Sequence, residues 1–545
     1  MRLALVFAVA MHAAIASFTG LTGDEAHYLL YARFLDWSYF DHPPLVGWLQ
    51  APIIALTDSV AVIRLLPQLI WVACAWLLYR ITQELSSDEA APAWAVVLFC
   101  LSPILHIHGM ALLPDTLLCF FALLAVWLSL RMGKLALTGG AWQMGKGPVQ
   151  GVSEGLASDG CGQLNIRYWA LLGLVLGLAG LSKYSAVFLA LGLAIYFLVV
   201  FRRQLPLKGV ATMAAVGLLV VSPVFLWNAA HDWISFKYQG GHVSGGAWRP
   251  EMVLVFVVGQ LLVFGPLTVW GLVRFWRGQR QALAHPKLLW LLAAFAVPVL
   301  FLAYLAGGGR SLPYWTSPAW VVALPFAAIG LAGMGWGVGW GEGGRKSVSR
   351  DAQRLRFAPI AAAMLALLQI GLMLWVTASL LMGRPMGSSG GTGAFHAPNP
   401  SQGTSPSQGT SPSQGTSPSQ TPNPFADVHG WDQLGRELVA LSRETGISTL
   451  AIGNWTLASR LGWYAQPLPV WVADSRFDQF DLWWPRPAPG EPVLFVVWRG
   501  MPSAKGSGNL YNCETIREIP IHRLGRAISS FTVSRCLAAT LARKQ

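Results

Sequence analysis

Apolar stretches of roughly 17–25 residues, each long enough to cross a bilayer as a helix, recur along most of the chain. They fall near residues 3–19, 61–80, 91–109, 112–131, 168–182, 184–201, 208–227, 252–274, 287–306, 316–335 and 358–381. Several neighbours are nearly continuous, so the pattern predicts about eleven helical spans with soft boundaries. The periodicity then changes. GWDQLGRELVALSRETG reads as an amphipathic helix closed by Gly446, a suitable C-cap. STLAIG and PVLFVVW read as short β-strands, and the last residues alternate weakly. Between the two regions lie three copies of SQGTSP at 401–418, a composition that cannot bury a core. The expected organisation is a polytopic α-helical membrane domain over 1–382, an extended linker over 383–424, and a small C-terminal α/β domain over 425–545. The Gly-rich stretch at 132–167 reads as an insertion without a motif.

Composition supports the membrane reading. The chain of 545 residues is 54% hydrophobic and 12% charged, with mean hydropathy +0.49, whereas a soluble domain carries about a quarter charged residues. The net charge of +13 raises nucleic acid as a partner. No basic run interleaved with aromatics, helix-turn-helix or zinc-finger spacing accompanies it. The cations instead follow topology: with the N-terminus inside, the inner connections hold seventeen Lys and Arg and the outer ones six. This bias places the C-terminal domain on the extracytoplasmic side. Met1-Arg2, an apolar run and Ala14-Ile15-Ala16 also fit a cleavable signal peptide; on either account the stretch that follows faces outward.

Cysteines divide in the same way. Cys74, Cys100 and Cys119 lie in spans and Cys161 in the Gly-rich stretch, where small apolar fillers or a free thiol are the readings. Cys513 and Cys536 lie in the outer domain, where a disulfide and two buried thiols stand as alternatives. No CxxC or Cys/His zinc spacing occurs.

The chemistry concentrates between Gly23 and Leu45, which read GDEAHYLLYARFLDWSYFDHPPL. Asp24, Glu25, Asp36 and Asp41 stand with His27 and His42 in what reads as a short loop between spans. Carboxylates beside a bilayer are costly and usually functional, although Asp36 is explained by solvation alone. Four further segments bring polar groups to the same predicted face: Asp115 after Pro114; Lys183 and Tyr184; Asn228, His231 and Trp233; and Arg310 with Tyr314 and Trp315. Asp115 fits a dipole-stabilised helix start as well as a functional carboxylate. Lys183 fits a snorkelling lysine as well as a phosphate ligand. His106 and His108, two apart on a helix, would point to different sides and so not chelate a metal together. Tyr28, Trp37, Tyr39 and Phe40 offer flat faces for a sugar or prenyl chain, and equally for interfacial anchoring.

GDEAHYLLYARFLDWSYFDHPPLVGW, LLPDTLL, GLSKYSAVF, SPVFLWNAAHDWISFKYQ and PYWTSPAW come in order across roughly residues 20–320. This set resembles glycosyltransferase family 39, the GT-C-fold enzymes related to protein O-mannosyltransferases and lipid A aminoarabinose transferase. GWDQLGREL and LASRLGWYAQ resemble the soluble domain of the bacterial branch, while the Gly-rich insertion and SQGTSP repeats depart from it. The resemblance implies inverting transfer of one sugar from a polyprenyl-phosphate donor to a lipid, glycan or protein acceptor, at the periplasmic face of a bacterial inner membrane. Asp24 is then the expected general base, with Glu25 and Asp115 orienting the acceptor or a metal. Lys183, Arg310 and Arg64 are expected on the donor phosphate, and Tyr28, Asp41, His42, Tyr184, Asn228, His231 and Trp315 on substrate. No cofactor is certain; a divalent metal ion among the carboxylates, His231 and His242 is left open. No nucleic-acid partner is expected. The rival class is a polytopic transporter or lipid flippase, which would favour inverted repeats and midplane carboxylates; no repeat is visible and the acidic groups cluster toward one face.

Overall fold

The computed structural model describes residues 1–138, 166–200, 206–241, 247–278, 292–308, 311–332, 351–386, 423–474, 476–501 and 509–539. Residues 139–165 of the Gly-rich stretch, the SQGTSP repeats, Cys161, His242 and Arg310 lie outside the described residues. The described chain forms two compact units. The first comprises Met1–His12, Trp37–Val46 and Arg64–Leu372, and the second Ala13–Asp36, Gly47–Ile63 and Met373–Gln545.

Each expected apolar stretch is largely helical over its described part. Among the described residues five helices are long and apolar enough to cross a membrane, and up to eight if each bent pair is one span. Two stretches that read as continuous are broken. Ala91–Leu101 and Pro103–Met110 meet at 79°, and Pro250–Val263 and Pro266–Gly278 at 97°. In each case a proline follows the break, where it removes a backbone donor and pushes the preceding residue out of helical geometry.

Burial separates the helices of the first unit by role. In Pro114–Met132, 78% of the apolar window is buried, against 11% in Leu207–Ala230. The first is therefore a central helix, and the second presents Leu218, Leu219 and Leu226 outward, as a lipid-facing helix does. Small residues set one tight packing. Gly173 and Gly177, four apart on Ile166–Ser182, let Leu207–Ala230 approach closely: a Cβ on Gly173 would lie 2.4 Å from the Met213 carbonyl oxygen.

The second unit contains a five-stranded sheet of order β2-β1-β3-β5-β4. Its strands are β1 (Leu450–Ile452), β2 (Val470–Val472), β3 (Pro492–Trp498), β4 (Leu510–Arg523) and β5 (Arg526–Ala538). β1 runs parallel to β2 and β3, and the other pairings are antiparallel. The parallel β1–β2 pair requires a crossover, which helix Trp455–Tyr464 supplies. Alternation sorts side chains to the two faces. Leu450, Ile452, Leu494 and Val496 join the core beneath helix Trp431–Thr445, while Ala451, Val493 and Phe495 join a smaller cluster. That helix buries Leu434, Leu438 and Leu441 along one stripe and ends at Gly446 with φ +71°, as the sequence pattern predicts. Cys513 and Cys536 form a disulfide between β4 and β5; Cys74, Cys100 and Cys119 are free and buried.

Candidate active site

The stretch around Asp24 is not a loop. Gly23–Arg33 is a helix of the second unit, started by a capping box. The Thr22 hydroxyl accepts from the Glu25 amide at 3.2 Å, and a Glu25 carboxylate oxygen accepts from the Thr22 amide at 3.0 Å. Glu25 is thus buried and holds the helix start. Asp24 lies beside it, half-buried in the first turn, where the positive end of the helix favours a carboxylate. Gly23 is needed for close approach: a Cβ there would lie 2.4 Å from Thr456 Cγ2 on helix Trp455–Tyr464. His27 is buried and ringed by Tyr31, Trp455, Phe480 and Trp483 at centroid separations of 5.1–6.1 Å. Its Nδ1 donates to Ser459 Oγ at 3.2 Å, because the Ser459 proton already goes to the Trp455 carbonyl. Tyr28 is buried, and its carbonyl accepts from Gln50.

The first unit carries the other sequence-derived candidates. Asp115 sits in the first turn of Pro114–Thr138, as Pro114 predicts. Lys183 Nζ donates to both of its carboxylate oxygens at 2.7 Å. Both side chains are buried, and the ammonium lies 5.3 Å from the Trp315 ring centroid. Neither reading of Asp115 or Lys183 from sequence anticipates this partnership across 68 positions. Trp315 also lines a mostly apolar cavity with Leu118, Phe188, Leu302 and Val322.

A second polar group adjoins this pair through Tyr184, the residue after Lys183. Ser235, Ser38, Asn228 and Asp41 all act on the Tyr184 hydroxyl. Asn228 is fully buried; its amide nitrogen donates to the Val224 carbonyl and its oxygen accepts from the Ser235 amide. The Ser235 hydroxyl donates to the Tyr39 carbonyl, and the Asp41 carbonyl accepts from Gln239. His231 stacks on Trp227 at 3.9 Å, with Nδ1 donating to the Trp227 carbonyl. The following turn holds Asp232 and Trp233 at φ +53° and +57°, left-handed conformations that cost non-glycine residues energy and concentrate at functional sites.

The structure therefore joins Asp115 with Lys183 and Trp315, and Tyr184 with Asp41 and Asn228, all within the first unit. His42 is half-buried in that unit, and Arg64 is buried there at the start of Leu65–Leu85. Asp24, Glu25 and Tyr28 belong to the second unit. His106 and His108 diverge as expected: His106 meets His12 at 2.8 Å, and His108 meets Thr116 at 3.2 Å. No group of three or more His, Cys, Asp or Glu among the described residues is arranged to hold a metal. Sequence reading missed Ser38 and Ser235, hydroxyls with no pattern to betray them.

Comparison with known proteins bears on the sequence and on the fold. A family model described as dolichyl-phosphate-mannose-protein mannosyltransferase matches residues 41–152 and 158–227, about a third of the chain. A lipid A galacturonosyltransferase, RgtD of Rhizobium johnstonii, is 27% identical over 322 residues. That match covers 57% of this chain, and the chain spans 61% of the length of that relative. The crystal structure of ArnT from Cupriavidus metallidurans in the apo state matches 98% of this chain and 97% of its own, with 14% identity and TM-score 0.57. The same protein bound to undecaprenyl phosphate matches 100% and 99%, with 14% identity and TM-score 0.51. The low identities carry the fold alone, while the family model and the curated relative carry the sequence. Together they make the chain similar in sequence to membrane glycosyltransferases and in fold to ArnT.

Proposed function

We propose that the protein transfers a single sugar from a polyprenyl-phosphate donor to an acceptor at the extracytoplasmic face of a bacterial inner membrane. The observation that carries this reading is Trp315, which touches the buried Lys183 ammonium on one side and lines an apolar cavity on the other. A cation beside an apolar cavity suits an amphiphile with a phosphate head and a hydrocarbon tail. The undecaprenyl phosphate bound by the ArnT structure has that chemistry.

In the reaction an acceptor hydroxyl attacks the anomeric carbon, the bond from that carbon to the phosphate oxygen breaks, and the configuration inverts. Asp24 accepts the hydroxyl proton, a contribution of about 10²–10⁴-fold for a well-placed base. Lys183, assisted by Arg310 and Arg64, stabilises the charge that returns to the lipid phosphate. Asp115 is assigned as the positioning residue for Lys183, since both its oxygens accept from that ammonium. Glu25 is assigned to the start of the Asp24 helix rather than to the acceptor. The RgtD name points to a lipid acceptor and the family-model description to a protein one; both acceptor classes belong in the test.

Purified protein is given a panel of polyprenyl-phosphate sugars with lipid A, glycan and peptide acceptors, beside Asp24→Asn and with a chelator. Transfer by wild type, lost in Asp24→Asn, is the expected result, and chelator sensitivity decides whether a metal takes part. No transfer or release from any donor by folded protein contradicts the reading and returns weight to transport.

A further inference from the structure

The hairpin turn between β4 and β5 is built in a way that a solvated surface does not explain. Arg523 pairs with Arg526 across it, and the two central residues, Leu524 and Gly525, lie at φ +49° and +73°. Turns with both central residues left-handed favour Asn, Asp or Gly at each position. A bulky leucine held there costs energy. Leu524 is also 78% exposed, so no packing against the protein offsets that cost. Arg526 beside it is exposed and makes no ion pair among the described residues.

The turn is fixed to the ends of two apolar helices within the second unit. Arg523 Nε donates to the Leu381 carbonyl at 3.1 Å, and its Nη2 donates to the Phe18 carbonyl at 3.0 Å. These carbonyls close helices Asp351–Met382 and Arg2–Phe18. The last carbonyls of a helix lack helical partners, and its dipole favours a cation there. Close by, His429 Nε2 donates to the Leu380 carbonyl at 2.7 Å. The apolar window Ile360–Met382 has 23 residues, about 35 Å of helix, enough to cross a hydrocarbon core of about 30 Å. Its end therefore marks the membrane surface. Trp375 stands near that end, its Nε1 donating to the Met386 carbonyl, where interfacial tryptophans concentrate. Phe18, whose carbonyl holds Arg523, is itself 58% exposed.

We propose that the β4–β5 turn anchors the C-terminal domain to the bilayer. Leu524 seats among lipid chains at the headgroup boundary, and Arg526 meets the phosphate of an anionic phospholipid. An apolar tip flanked by cations matches the layered chemistry of that boundary. Removing Leu524 from water there offsets the cost of its backbone angle. Leu524 and Phe18 make too small a patch for a specific protein interface, which buries about 800 Å² on each partner. The inference rests on the membrane helices and is independent of the sugar-transfer reading.

The test reconstitutes the full chain in nanodiscs with a fluorophore on Ala527→Cys, next to the turn. A separate preparation carries it on Arg443→Cys, at the opposite end of helix Trp431–Thr445 from His429; both positions are exposed. A Cys161→Ser background limits stray labelling, since Cys74, Cys100 and Cys119 are buried. Phospholipids brominated high in their chains are expected to quench the probe at 527 and not the probe at 443. Brominated anionic lipid should quench it more than brominated zwitterionic lipid at equal mole fraction. The difference should correspond to about fivefold local enrichment, the worth of one arginine at an anionic surface, and Arg526→Gln should remove it. Leu524→Asn suits the same turn, so it should melt no lower than wild type while losing most of the quenching at 527. Equal quenching at the two positions, or quenching at 527 that survives Leu524→Asn, overturns the anchor. Equal quenching by the two lipids, or a preference that survives Arg526→Gln, overturns the role of Arg526. Quenching is read without substrate, so a failure of the transferase reading leaves this result untouched.

Discussion

Two ion pairs with a buried cation, one in each unit, look alike in outline and differ in what they can do. In the second unit Arg460 forks onto Asp427 with bonds of 2.9 and 2.6 Å and lies 4.7 Å from the Trp431 ring centroid. In the first unit Lys183 reaches both oxygens of Asp115 and lies near Trp315. A guanidinium fixed in a bidentate fork against a packed indole holds one geometry. An ammonium is a compact charge on a flexible stem, and Lys183 keeps a third N–H beyond the two given to Asp115. The Arg460 pair therefore reads as architecture of the α/β domain, and the Lys183 pair as a cation held ready for an anionic ligand.

Substitution separates the two most sharply through turnover. Lys183→Met should lower transfer by about 10²–10³-fold, the usual loss when a charge-stabilising donor is removed. It also leaves the buried Asp115 carboxylate without its partner and should destabilise the protein. Adding Asp115→Asn should recover the melting temperature and not the activity. Recovery of both would make the Lys183 pair as structural as its counterpart.

Stability breaks the comparison from the other side. Arg460→Ala removes a buried guanidinium whose partner Asp427 is 30% exposed and should cost about 1.5–3 kcal/mol, the worth of a hydrogen bond to a charged group, read by denaturant unfolding of the full chain followed by tryptophan fluorescence. Donor affinity of the remaining folded protein should be unchanged. A change in donor affinity as large as that of Lys183→Met would erase the distinction.

A smaller effect concerns pH. Burial pushes the Asp478 carboxyl up to about 7, with Asp481 and Asp474 adding to it against the Phe480 amide and His27. One of its oxygens caps helix Gln479–Trp483, while the other is buried without a partner. Because the folded state holds this proton more tightly than the unfolded chain, the stabilisation is complete below pH ~4 and is lost as pH rises toward about 7. Asp478→Asn keeps the cap and carries no charge. It should flatten the unfolding free energy between pH 4 and 8 and raise it at pH 8 by an amount on the order of 1–3 kcal/mol, read by denaturant unfolding at each pH. An unchanged profile would show that Asp478 does not set it.

Legibility from sequence followed the range of the interactions. The amphipathic stripe of Leu434, Leu438 and Leu441 and the Gly446 cap are local, and both are where the pattern puts them. The apolar stretches are equally local, but Pro103 and Pro266 convert two of them into bent pairs. Helix Gly23–Arg33 was hidden because it is buried on nearly every side and shows no apolar stripe. The signal that reveals it is Thr22 followed three residues later by Glu25. That capping box also gives Glu25 a place in helix initiation. The Asp115–Lys183 pair and the Ser38–Tyr184 hydroxyls are tertiary, and no spacing in one sequence encodes them. The motif set locates the segments that matter, and the fold decides which residues in each are already committed.

The central claim is a division of labour, with Lys183 holding the lipid phosphate and Asp24 performing proton transfer. It is tested most directly by measuring undecaprenyl-phosphate affinity and single-turnover transfer on the same preparations of wild type, Lys183→Met and Asp24→Asn. The account predicts that Asp24→Asn binds the lipid phosphate like wild type and transfers about 10²–10⁴-fold more slowly, while Lys183→Met loses affinity. Normal transfer by Asp24→Asn, or undiminished lipid-phosphate affinity in Lys183→Met, would contradict it.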